Sequence, residues 1–95
     1  PMVDIATDPL CQEALALLTS ADPDGGVDRL VALAGPDRST LVGARDAFAT
    51  RLHHHGDDHA ATGALRLLNR ALSAYGWHDP YDWHSRFGHR FLIKP

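Results

Sequence analysis

Apolar residues recur at three- and four-residue steps along most of this chain, and nowhere do they alternate with period two over more than a few positions. The clearest run is Ala61, Ala64, Leu65, Leu68, Ala71, Leu72 and Tyr75, which fall on one wide stripe of a helix. Arg66, Asn69, Arg70 and Ser73 fall on the opposite face. So broad a stripe has to be buried against other elements, and this helix is expected to organise the fold. Asp57 or Asp58 can cap its first turn, and Gly76 stands where a left-handed C-terminal cap would be needed. Gly63 interrupts good helix formers at a cost of about 1 kcal/mol relative to alanine, which suggests that another backbone comes close there.

Three shorter patterns precede it. Asp8-Pro9 is a cap followed by a first-turn proline, and Leu10, Cys11, Ala14, Leu15, Leu17 and Leu18 form the apolar side of a helix ending near Ser20. Asp22-Pro23-Asp24-Gly25-Gly26 reads as a turn. Val27, Leu30, Val31 and Ala34 mark a short second helix that stops at Gly35-Pro36. Asp37 or Ser39 caps a third, with Leu41, Ala44, Ala47, Phe48 and Leu52 on its buried face, running to about His55 before Gly56. Beyond the central helix, Asp79-Pro80 repeats the cap-and-proline pair and predicts a last helix with Asp82 in its first turn. The pattern predicts an all-α, single-domain bundle of four or five short helices over residues 8–95, preceded by a flexible arm at 1–7. By element count alone this suits a death-fold-like arrangement.

Length and composition narrow the picture. Ninety-five residues make one domain, large enough to bury somewhat more than ~60% of its unfolded surface, so no metal or crosslink is required for folding and no cofactor is expected. One cysteine, Cys11, excludes an internal disulfide framework and points to a reducing compartment. No apolar run approaches the ~20 residues that span a bilayer, and the chain is expected to be cytoplasmic. Pro1 before Met2 reads as a cleavage remnant with Met2 as the native start, and alanine, arginine and aspartate beside a single lysine suggest a GC-rich bacterial source. Ten acidic residues face four arginines up to residue 60, leaving −6, whereas the remainder carries +3. Such a chain can neutralise itself internally or stack head to tail with a copy of itself.

Candidate chemistry is sparse. His53, His55 and His59, with Asp57 and Asp58 between, offer imidazole and carboxylate ligands for a transition metal, but Gly56 breaks the helix that would align them. Solvated histidines at a helix C-terminus, where positive charge is favoured, account for the same residues. His78, His84 and His89 lie among aromatics without a nucleophile or carboxylate pair to work with. Cys11 sits in a first turn, where the helix dipole lowers a thiol pKa, but also on the apolar side, where burial makes it inert. Gly25-Gly26 lacks the strand and lysine of a phosphate loop. No catalytic activity is predicted.

The remaining signal is a surface. Six of the seven aromatic residues lie between Tyr75 and Phe91; they close the core of a small domain, or some of them project outward as anchors. Trp77, Tyr81 and Trp83 are interleaved with Arg86 and Arg90, and Arg66 and Arg70 flank them on the preceding helix. Tryptophan, tyrosine and arginine together are the composition of interface hot spots. The sequence therefore predicts a non-catalytic module, an adaptor, regulator or recruitment domain, that binds another protein or itself through these residues. The alternatives are nucleic-acid binding through Arg66, Arg70, Arg86 and Arg90, thin for base-specific recognition, and metal binding at His53–His59. Neither a membrane nor a small-molecule substrate is predicted.

Overall fold

An aspartate followed by proline starts the first helix as its chemistry requires. Asp8 stays extended and its Oδ2 accepts the Cys11 amide hydrogen at 3.0 Å, while Pro9 fills the first helical position, where no amide hydrogen is needed. The computed structural model describes residues 3–74, and within them four α-helices follow one another: α1 (Pro9–Leu17), α2 (Val27–Ala34), α3 (Ser39–His54) and α4 (His59–Ser73). No strand occurs among the described residues. The expected all-α bundle is the fold observed, although the helix predicted from Pro80 lies outside the described residues.

Helix α4 is central because its apolar arc meets α1, α2 and α3 in turn. Ala61, Ala64, Leu68, Ala71 and Leu72 are buried as the periodicity predicts, and Leu65 is partly so. Leu67 is buried as well, outside the expected stripe. An element packed on three sides needs a wider apolar arc than one lying on a single neighbour. Gly63 also works differently from expectation: the group filling its notch is the Leu18 side chain, not a backbone, and a Cβ there would stand 2.8 Å from Leu18 Cδ2.

The ends of the other helices differ from the sequence pattern in instructive ways. The last turn of α1 tightens, with Leu18, Thr19 and Ser20 amides donating to carbonyls three residues back, so the helical path reaches Ser20 although α1 ends at Leu17. The turn at 22–26 is itself helical. Asp22 Oδ1 accepts the Gly25 amide hydrogen at 3.0 Å, and a 3-10 turn, Asp24–Gly26, runs directly into α2. Leu17 packs across Gly26, where a Cβ would collide with it. Gly35, at φ 71°, ends α2 in a conformation that side-chain-bearing residues resist. Asp37 holds the start of α3, accepting from the Ser39 amide at 2.9 Å and from Ser39 Oγ at 2.6 Å.

The first described residues, expected as an arm, lie against the core. Val3 and Ile5 pack on it, with Val3 over Gly43, and Asp4 closes a turn by accepting from the Thr7 and Asp8 amides. Gln12 Nε2 donates to the Ile5 carbonyl at 2.7 Å. Phe48, Leu30, Leu41, Leu68 and Leu72 are the largest fully enclosed side chains, and leucine and alanine from all four helices complete one contiguous core.

Candidate interaction surface

The outward face of α4 follows from the same 3.6-residue period that buries the other side. Arg66, Arg70 and Ser73 are exposed and Asn69 is half-buried, as expected. Arg66 and Arg70 lie one turn apart, so their side chains rise from neighbouring positions. Their situations differ. Arg70 Nη1 is paired with Asp24 Oδ1 of the 3-10 turn, both side chains more than half exposed, whereas Arg66 makes no ion pair among the described residues. Ser73 Oγ donates to the Asn69 carbonyl at 3.1 Å, and the Asn69 Oδ1 is enclosed without a hydrogen-bond partner among the described residues. Of the surface predicted from sequence, Trp77, Tyr81, Trp83, Arg86 and Arg90 lie outside the described residues.

Several other charged groups tie one helix to another or hold a helix start. Arg51 Nε donates to Asp58 Oδ2 at 2.6 Å, while Asp58 Oδ1 accepts the Ala61 amide hydrogen at 3.0 Å and thereby caps α4. That amide and then Arg51 hold the Asp58 carboxyl below its ordinary 3.8. Asp37 is lowered in the same direction by the Ser39 hydroxyl and amide. Arg29 joins Glu13 at 2.9 Å, tying α2 to α1. Arg45 is only 6% exposed and reaches Asp46 at 3.0 Å. Periodicity offered a signal for its burial, since it stands one turn beyond Leu41 on the core side of α3, but its charge argued the other way.

The groups considered for chemistry separate. Cys11 has no exposed surface, and burial first, then the charge and hydrogen bond of Asp8, push its thiol up to about 12. The helix N-terminus does not activate it. His53, His54, His55 and His59 are all exposed; the rings of His53 and His54 meet edge to face at 5.3 Å. Among the described residues no three His, Cys, Asp or Glu side chains converge as a metal site would need. An open cleft of about 380 Å³ lies between residues 4–6, α1, α3 and the start of α4, lined by Ile5, Leu15 and Phe48 with Asp4, Arg51 and Asp58. Its carboxylates already accept internal hydrogen bonds: Asp4 from the Ala6 amide, Asp58 from Ala61 and Arg51. Among the described residues no helix is long and apolar enough to cross a membrane.

No protein-family model, curated protein or solved structure matches the chain.

Proposed function

We propose that the chain is a non-catalytic helical interaction module, an adaptor, regulator or recruitment domain, that binds another protein or a second copy of itself. Its binding surface combines the exposed face of α4 at Arg66 and Arg70 with Trp77, Tyr81, Trp83, Arg86 and Arg90. The observation that carries this reading is the run of these five residues within one short stretch immediately after a helix whose outer face already displays two arginines. Large rigid rings desolvate a contact at little entropic cost, and guanidinium groups add directional hydrogen bonds to it. A bacterial, cytoplasmic setting belongs to the same proposal. The pairing of Arg70 with Asp24 and the net charge of −3 favour a protein partner over a nucleic acid.

Capture experiments with the immobilised full chain, beside Trp83→Ala and Arg86→Ala versions whose helicity is first verified, test the proposal. A specific protein, or the chain itself, is retained by the parent and lost from both variants. Equal retention by parent and variants, with no concentration-dependent sedimentation of the parent, would overturn it.

A further inference from the structure

Arg70 already holds a carboxylate that comes from elsewhere in the fold. Asp24 reaches it from the 3-10 turn before α2, and both side chains remain more than half exposed, so the pair is open to solvent and to exchange. One turn earlier, Arg66 is exposed and has no ion pair among the described residues. The face thus presents two arginines one helical turn apart, one paired with an internal carboxylate and the other without an ion pair among the described residues. Guanidinium recognises carboxylate through paired, parallel N–H donors, and Asp24 occupies the position that an incoming carboxylate would take.

We infer that the Arg66–Arg70 face of α4 takes an acidic segment of a protein partner, one with two carboxylates about a helical turn apart, and that Asp24 is the internal competitor this segment displaces. The inference rests on the proposed interaction function and names the chemistry of the partner. Two acidic side chains four residues apart on a helix match the spacing of the two arginines. The alternative polyanion, a nucleic acid, is opposed by the charge around that face: among residues 3–74, apart from Arg66 and Arg70, ten acidic side chains stand against four arginines. A long phosphate backbone would meet that field along its length, whereas a short acidic segment meets only the arginine face. Asp24 then lowers the affinity, since the partner carboxylate that meets Arg70 must replace a contact already made.

The test is a titration of the full chain with a labelled helical peptide bearing glutamates four residues apart, beside its glutamine counterpart and a single-stranded oligonucleotide. Asp24→Asn is expected to tighten binding of the glutamate peptide by about two- to fivefold, the range that an exposed ion pair represents. Asp28→Asn removes the same charge from an exposed α2 position that forms no ion pair among the described residues, and is expected to change binding less. Arg66→Gln and Arg70→Gln are expected to weaken binding. Equal effects of Asp24→Asn and Asp28→Asn would overturn the competitor role. Indifference to the arginine substitutions, absence of peptide binding, or preference for the oligonucleotide would overturn the surface. If the peptide fails while Trp83→Ala still abolishes capture of a protein, this inference falls and the proposed function stands.

Discussion

Arg51 in the last turn of α3 donates to the same carboxylate, Asp58, that caps α4, with one oxygen serving each role. A single side chain therefore caps the central helix and ties its start to the end of α3, the neighbour it packs against most extensively. Because the folded carboxyl titrates below its ordinary 3.8, its contribution is fully present above the unfolded value and is lost as pH falls through the folded one. Asp58→Asn keeps a good capping residue but removes the titration and the charge partner of Arg51. The variant is expected to melt lower than the parent at neutral pH, with the gap closing as the solution is acidified into the carboxylate range. Melting curves across that range check it; a gap that stays constant with pH would refute the assignment.

Asp8 performs the capping half of this task alone, through its bond to the Cys11 amide. Asp8→Ala is expected to cost about 1 kcal/mol, seen as a fall of roughly 4–8 °C in a thermal melt of a domain this size.

Phe48 is the largest side chain fully enclosed in the core, only 1% exposed. Phe48→Ala removes its contacts and leaves a void, and a loss of about 3–5 kcal/mol is expected in urea unfolding. That is a large share of the ~5–15 kcal/mol typical of a whole domain.

Gly63 and Leu18 should couple. Gly63→Leu crowds the Leu18 methyl groups and is expected to destabilise by about 1–3 kcal/mol, whereas Leu18→Ala added to it should recover part of the loss. Strictly additive effects in a double-mutant cycle would separate the two residues.

Cys11 should resist thiol reagents in the folded protein at mildly alkaline pH, because the group has no exposed surface and its pKa is pushed up to about 12. Labelling is expected to appear with unfolding, along the same denaturant curve as the helical signal. Rapid labelling of the folded chain would contradict the burial.

Much of this architecture was written in local chemistry. Asp8-Pro9, Gly35-Pro36, and Asp58 ahead of the Ala61–Leu72 stripe each act within one helical turn, and each appears where periodicity and capping put it. The features that escaped depend on neighbours distant in sequence. Leu67 is buried outside the stripe; the notch at Gly63 is filled by Leu18, forty-five residues earlier; Arg45 lies on the core side against the tendency of its charge. Asp22-Pro23-Asp24-Gly25-Gly26 reads as a turn, and its glycines concealed the 3-10 entry to α2, although Asp22-Pro23 is the same pair of residue types that opens α1. On the surface, the outward direction of Arg66 and Arg70 followed from the stripe, whereas the choice of Asp24 as the partner of Arg70 is a product of tertiary packing.

The most direct measurement pairs thermal unfolding with sedimentation of the full chain and its Trp83→Ala variant, in the presence of whatever protein the parent captures, or alone at rising concentration if it captures itself. The account predicts closely similar unfolding temperatures and a complex that forms only with the parent. A variant that loses its helical fold, or one that remains folded and still forms the complex, would contradict it.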